Sequence, residues 1–94
     1  MKRYELMTIY SSEVGDTAAK GLTQEVQNMI STLKGEVEKA DFWGKRKFAY
    51  EIKSAKEGYY DVITFSMEPE NLAKFKNKLR LAENIIRYLV TAKS

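Results

Sequence analysis

Hydrophobic and polar residues alternate along four segments of the chain, and this period of two predicts β-strands. In the first segment, residues 3–10, one face carries Tyr4 and Leu6 and the other carries Met7 and Ile9. This strand therefore has two faces that can each be used in packing. The alternation predicts three further strands, at residues 36–52, 59–67 and 85–92, with a polar connection at residues 53–58.

Two other segments repeat their apolar residues at helical spacing. In the first, hydrophobic side chains recur at Leu22, Val26, Met29, Ile30 and Leu33. This spacing predicts an amphipathic helix over residues 16–34, closed by Gly35, the residue type preferred just past a helix end. A second helix is predicted from Pro69, which fits the first helical position, to Leu81. Its apolar positions are Leu72, Phe75 and Leu79.

The order strand, helix, strand, strand, helix, strand has few compact solutions. We expect an α+β fold of the ferredoxin-like βαββαβ plan, a sandwich with a four-stranded antiparallel sheet and two helices on one face. With 94 residues the chain is long enough for a single domain, residues 1–94. The predicted core consists of Leu6, Val26, Ile30, Phe65, Met67, Phe75 and Leu79.

The composition removes most catalytic chemistry. The chain has no cysteine and no histidine, so it lacks the usual side chains for a transition-metal site or an activated serine or cysteine nucleophile. We therefore expect no enzyme, no catalytic residue, no metal and no cofactor. No stretch approaches the ~18 apolar residues of a membrane span. We therefore expect a cytoplasmic protein that does not bind a membrane. We also expect no small-molecule substrate.

Cations and aromatic residues interleave at residues 42–50, Phe-Trp-Gly-Lys-Arg-Lys-Phe-Ala-Tyr. Lysine and arginine neutralise phosphates, and aromatic rings stack on unpaired bases. The segment is therefore a candidate RNA contact. An equally open interpretation is a solvated basic strand whose aromatic residues, such as Trp43 and Tyr50, anchor the core. Gly44 within the segment predicts a bulge or a close approach of the backbone.

The basic bias of the chain is moderate, with a pI of about 9.1 and a net charge of +3. The position of each cation therefore matters more than the total. Lys45, Arg46 and Lys47 are consecutive on a predicted strand and point to alternating faces. We expect one of them, Arg46, to pair with a carboxylate instead of a phosphate. Three helix lysines are interpreted as solubilising residues only: Lys74, Lys76 and Lys78.

The sheet face opposite the predicted helices carries a second candidate site. The strand pattern places five apolar or aromatic side chains there: Met7, Ile9, Tyr60, Val62 and Leu89. A patch of this kind is too apolar to remain comfortably in water. We expect it to be the interface with a partner protein.

Five motifs occur in order along the chain: Arg3-Tyr4-Glu5, Trp43-Gly44-Lys45-Arg46-Lys47-Phe48-Ala49-Tyr50-Glu51-Ile52, Gly58-Tyr59-Tyr60, Leu79-Arg80-Leu81 and Asn84-Ile85-Ile86-Arg87. Together they resemble the family of the sixth ribosomal protein of the bacterial small subunit. The resemblance covers essentially the whole chain.

This resemblance implies a protein of the cytoplasmic ribosome that takes no part in catalysis. It implies pairing with the eighteenth protein of the small subunit and binding to the central domain of small-subunit ribosomal RNA. The motifs that lie near RNA or the partner in that family map onto eight candidate RNA-binding residues: Lys2, Arg3, Trp43, Lys45, Arg46, Lys47, Arg80 and Arg87.

Two other functional classes share the predicted fold. An enzyme of the acylphosphatase kind needs an arginine-bearing, glycine-rich phosphate loop after the first strand, but residues 11–16 contain no arginine and one glycine. A small-ligand-sensing regulatory domain needs a glycine-rich loop at the same point and is normally joined to a larger enzyme. The free-standing basic chain matches neither class.

Overall fold

The computed structural model describes residues 1–52 and 55–93, with the helices and strands in the predicted order. The elements are β1 (Lys2–Ser11), α1 (Asp16–Thr32), β2 (Glu36–Ile52), β3 (Ala55–Met67), α2 (Pro69–Leu81) and β4 (Ile85–Lys93). A turn of 3-10 helix at Ser12–Val14 leads from β1 towards α1.

The strands form one antiparallel sheet with the order β2-β3-β1-β4. β1 lies between β3, where Ile63 is opposite Leu6, and β4, where Val90 is opposite the same leucine. Buried residues of α1 and α2 join one cluster with alternate residues of β1 and β3, so both helices cover the same face of the sheet. The predicted ferredoxin-like α+β fold is confirmed.

Alternate residues of the two central strands build the core between the sheet and the helices. The ring of Tyr4 packs against Phe65 with centroids 5.6 Å apart, and Phe65 meets Phe75 of α2 edge-on at 5.4 Å. Aromatic pairs in such arrangements contribute about 0.5–1.5 kcal/mol beyond the burial of their area. The seven predicted core residues are all buried.

The ends of α2 follow the chemistry of helix termini. Pro69 follows Glu68, whose backbone is extended, and begins the helix. Proline is tolerated there because the first N–H groups of a helix have no helical acceptor. Lys78 and Arg80 lie in the last turn, where positive charge interacts favourably with the helix dipole. The predicted position of this helix is confirmed.

The end of α1 differs from the prediction. The helix ends at Thr32, and Lys34 takes the left-handed conformation with φ 63°, so Gly35 is not the residue that terminates it. A Cβ at position 35 would lie 2.8 Å from the carbonyl oxygen of Ser66 and 2.9 Å from Ile30 Cγ2. Gly35 is therefore required for a close approach of the chain to β3, a role that helix-end statistics do not reveal.

β2 and β3 form a longer hairpin than predicted. The prediction of a polar connection at residues 53–58 was wrong for residues 55–58, which belong to β3, while residues 53–54 lie outside the described residues. Lys47 is opposite Glu57 in this extension, which we call the hairpin arm, residues 45–52 with 55–58. Residues 55–58 read Ala-Lys-Glu-Gly, and only Gly58 among them is buried. This end of β3 therefore lacks apolar alternation, and its composition resembles that of a loop.

Two glycine-to-alanine substitutions are expected to change stability in opposite directions. Gly21 lies within α1, and no atom of the described residues is within 4 Å of an added Cβ. Gly21→Ala should raise the free energy of unfolding by about 0.5–1 kcal/mol through helix propensity. Gly35→Ala should lower it by ~1–3 kcal/mol because its methyl group overlaps the backbone of β3. Urea unfolding followed by circular dichroism measures both, and a neutral Gly35→Ala would contradict the close contact.

Candidate nucleic-acid interface

The sheet face opposite the helices, which we call the open face, carries a row of apolar side chains across three strands. In the strand register Met7 of β1 lies between Val62 of β3 and Leu89 of β4. Leu89 is 59% exposed, whereas Met7 and Val62 are half-buried. Tyr60, two residues before Val62, is on the same face and also half-buried. Four of the five residues predicted for a partner interface thus form an accessible patch.

Ile9 is the exception, because its side chain is only 6% exposed. It lies on the open face, opposite Tyr60 and Arg87, but other residues cover it. A Cβ built on Gly58 would lie 2.7 Å from Ile9 Cγ2 and 3.1 Å from Phe48 Cζ, so both side chains close over that glycine. The prediction that Ile9 is exposed was wrong, since a strand pattern does not show what the hairpin arm places above it.

A bulge at Trp43 and Gly44 divides the aromatic residues of β2 between the two faces of the sheet. Phe42 is opposite Asp61 of β3, but the next paired residue is Gly44, whose φ of 83° lies in the left-handed region that favours glycine. One extra residue on a strand changes the direction of the side chains that follow it. The bulge predicted at Gly44 is confirmed.

Phe42 and Trp43 consequently stack on different partners. Phe42 lies on the helix side, 6.2 Å from the ring of Tyr59, whereas Trp43 stacks nearly parallel on Tyr60 of the open face at 6.2 Å and 7°. The indole Nε1 of Trp43 donates a hydrogen bond to Asp41 Oδ2 at 3.2 Å. Trp43 is 43% exposed, so it is not a core anchor and part of its ring is accessible to a ligand.

A groove of about 340 Å³ lies on the open face beside the hairpin arm. Phe48 and Tyr50 of the arm line it together with Arg87 and Leu89 of β4. Tyr50 is 69% exposed, so the interpretation as a core anchor was wrong for this residue as well. Phe48 and Tyr50 belong to the candidate segment at residues 42–50 but were not among the eight candidate RNA-binding residues, although their even spacing from Arg46 places all three on one side of β2.

The three consecutive cations of β2 have different surroundings. Lys45 Nζ lies 3.6 Å from Glu57 Oε1, whereas Arg46 Nη1 donates to the backbone carbonyl oxygen of Lys45 at 3.0 Å. The prediction that Arg46 would pair with a carboxylate was therefore wrong, because Glu57 lies on the strand face that Lys45 shares. Lys47 is exposed and lines the groove.

The other predicted cations divide into two groups. Arg87 lines the groove and also a cleft that it shares with Arg80, the exposed residue near the end of α2. Arg3 is opposite Lys93 at the other end of β4. Its Nε donates to both carboxylate oxygens of Glu38 at 3.1 and 2.9 Å. Ile9, the partner of Arg87, is the sixth residue after Arg3 on β1, which corresponds to about 20 Å of strand. Lys2 is exposed beside Arg3.

Other kinds of site have little support in residues 1–52 and 55–93. No three carboxylate side chains gather there in a way that would hold a metal ion. None of the helices in this part of the chain is both long and apolar enough to cross a membrane.

Comparison with known proteins gives consistent matches along nearly the whole chain. Residues 3–92 match the family model described as Ribosomal protein S6. The small ribosomal subunit protein bS6 of Dictyoglomus turgidum is 40% identical over 91 residues, covering 97% of this chain and 94% of the relative. The bS6 protein of Carboxydothermus hydrogenoformans is 37% identical over 90 residues, covering 96% and 94%.

Solved structures agree with these matches. The crystal structure of 30S ribosomal protein S6 from Thermotoga maritima is similar with a TM-score of 0.93 and 35% identity, covering 98% of this chain and 87% of that one. The C-terminal domain of the MgtC protein from Mycobacterium tuberculosis has a TM-score of 0.65 at 10% identity. That second likeness concerns the fold alone.

The stack of Trp43 on Tyr60 is testable by fluorescence, because Trp43 is the only tryptophan of the chain. Tyr60→Ala should shift the emission maximum to longer wavelength, since the indole becomes more exposed to water. It should also lower the free energy of unfolding by about 0.5–1.5 kcal/mol or more, because the aromatic pair is lost. Tyr50→Ala is the matched control and should leave the emission unchanged. An unshifted maximum in folded Tyr60→Ala would contradict the stack.

Proposed function

The chain belongs to the ribosomal protein S6 family, and we propose that it binds the central domain of small-subunit ribosomal RNA together with the eighteenth protein of that subunit. The match over residues 3–92 carries this proposal. Proteins of the family are structural components of the small ribosomal subunit in the cytoplasm and not enzymes. The chain accordingly has a structural role in the ribosome and no catalytic one.

Charge and aromatic character at the hairpin arm support the proposed RNA contact. Lys47 and Arg87 both line the groove, and none of the carboxylates in residues 1–52 and 55–93 does, so a phosphate there meets positive charge without repulsion. The accessible part of Trp43 suits stacking on an unpaired base. Lys45 shares its charge with Glu57, but an exposed ion pair is worth only about 0–1 kcal/mol and a phosphate can displace it.

The apolar patch supports a protein partner on the same face. Met7, Val62 and Leu89 form its centre, with Arg3 towards one end of the strands and Arg87 towards the other. An apolar centre with a polar, charged rim is the usual anatomy of a protein interface. A partner seated on the centre leaves the two ends of the patch, about 20 Å apart, uncovered, so RNA can contact Arg87 at one end and compete with Glu38 for Arg3 at the other. This arrangement favours joint binding by the two proteins over binding by either alone.

The cations of the hairpin arm are expected to contribute to RNA affinity. Replacing Lys45, Arg46 and Lys47 together by alanine should weaken binding to labelled central-domain RNA. It should also flatten the salt dependence, because each lost phosphate contact removes roughly 0.7–0.9 from the log–log slope. The matched control replaces three exposed helix lysines and removes the same charge: Lys74, Lys76 and Lys78. Affinity is measured by titration at several salt concentrations.

Stability serves as a second control for the arm variant. Exposed substitutions usually change the free energy of unfolding by no more than ~0.5 kcal/mol, so its circular dichroism and melting temperature should stay close to wild type. If the salt dependence of RNA binding flattens by the same amount in the two triple variants, only the loss of net charge explains the weaker binding. The RNA site would then have to be sought at Lys2, Arg3, Arg80 and Arg87.

Tight RNA binding is expected to require the partner protein, because the isolated chain has only a modest net charge of +3. Adding the eighteenth small-subunit protein should therefore increase the affinity for central-domain RNA. Leu89→Asn should reduce this increase, since it makes the apolar patch polar without adding charge to the groove that Leu89 also lines. Leu81→Asn is the matched control, because Leu81 is also exposed but lies on α2. Equal affinity with and without the partner would contradict joint binding.

A further inference from the structure

A carboxylic acid is buried in the core beneath α1. Asp61 of β3 lies on the helix side of the sheet and is 1% exposed. Its cross-strand neighbours are Thr8 on β1 and Phe42 on β2, and the buried Tyr10 lies two residues beyond Thr8 on the same face. Thr23 of α1 faces it from the helix layer. Neither the proposed RNA contact nor the partner interface uses this cluster.

The hydrogen bonds of the cluster leave one side of the carboxyl group unsatisfied. Thr23 Oγ1 and Tyr10 Oη both donate to Asp61 Oδ2, the latter at 3.4 Å. Asp61 Oδ1 and Thr8 Oγ1 are buried and have no hydrogen-bond partner among the described residues. A buried polar atom without a partner is costly, and the cost is far greater when that atom carries negative charge.

We propose that Asp61 is a buried proton-binding site: its carboxyl group keeps its proton to a higher pH in the folded chain than in the unfolded chain, and the folded state loses stability when this proton is lost. A neutral carboxyl group carries one O–H donor. With the hydrogen on Oδ1, the oxygen that has no hydrogen-bond partner among the described residues carries no buried negative charge. Oδ2 continues to accept from Tyr10 and Thr23. One proton therefore removes the cost of burying a charge on an unpaired oxygen.

The electrostatic surroundings of Asp61 favour the neutral form. No lysine or arginine in residues 1–52 and 55–93 makes an ion pair with Asp61. The groups that face it are Tyr10 and Thr8 from β1, Thr23 from α1 and the carboxylate of Asp41 from β2. All of these are uncharged or negative. A buried carboxylate without a positive partner is strongly disfavoured.

The direction of the pKa shift agrees with this geometry. Burial raises the pKa of Asp61 above its ordinary 3.8, and the charge of Asp41 raises it further, while hydrogen bonds from Thr23 and Tyr10 lower it. Burial and the charge of Asp61 likewise raise the pKa of Tyr10, so the phenol remains a donor. When the pKa of a carboxyl group is higher in the folded chain than in the unfolded chain, the group stabilises the folded state most at pH values below its pKa in the unfolded chain. That stability is lost as the pH rises through the folded pKa.

Comparison of the wild type with Asp61→Asn tests the proposal. The ratio of their unfolding equilibrium constants in urea, wild type over variant, should be constant below about pH 4. Above that it should rise by up to tenfold per pH unit until the pH passes the pKa of folded Asp61. Glu83→Gln, which removes an exposed carboxylate, is the control, and the ratio for Asp61→Asn should rise more steeply with pH than the ratio for this control. A flat or falling ratio for Asp61→Asn overturns the proposal.

Direct titration keeps the test independent of how the variant folds. Carbon-13 NMR of the Asp61 carboxyl group in the folded wild type should give a midpoint well above the ordinary value of 3.8. Thr23→Val should move this midpoint upward, because it removes a hydrogen bond that stabilises the carboxylate, whereas Thr23→Ser should leave it in place. A wild-type midpoint at or below 3.8 overturns the proposal, as does a midpoint that Thr23→Val leaves unmoved.

Discussion

The backbone pairing of β1 with β3 and β4 is the constraint on which the rest of the structure depends. β1 is a central strand, so its register determines which side chains of three strands share a face. A slip by one residue would move Leu6 and Tyr10 into solvent and bring Arg3 and Glu5 under the helices. Burial of the helix side, where Leu6 and Tyr10 are fully enclosed, stabilises the observed register against this exchange.

The same register assembles the open face from residues distant in the chain. Met7, Val62 and Leu89 belong to different strands and meet only because β1 is paired on both sides. The bulge at Gly44 then turns Trp43 onto this face, and the hairpin arm extends the face beyond the helices. A single sheet surface thus presents an apolar centre and a basic aromatic margin, which suits joint recognition of a protein and an RNA.

The helix side contains one departure from a purely apolar core. On the helix side of β3, Asp61 is followed by the buried hydrophobic residues Ile63, Phe65 and Met67. Its hydrogen bonds reach both β1 and α1. A polar group in such a place is tolerated when its partners are well placed, and it then restricts how the layers pack. The alternation places Asp61 on the side of Ile63 and Phe65, but only the packed helix shows that Thr23 meets it.

Local patterns by themselves determined the order and kind of the helices and strands, the core residues and the two faces of β1 and β3, because periods of two and 3.6 follow directly from backbone geometry. The bulge at Gly44 also followed from a single residue. Only the tertiary structure decided the roles of Gly35 and Ile9, the pairing of Lys45 with Glu57 and the start of β3 at Ala55. Each of these depends on contact with residues far along the chain or on an exposed hairpin without hydrophobic alternation, and local sequence patterns do not encode such contacts.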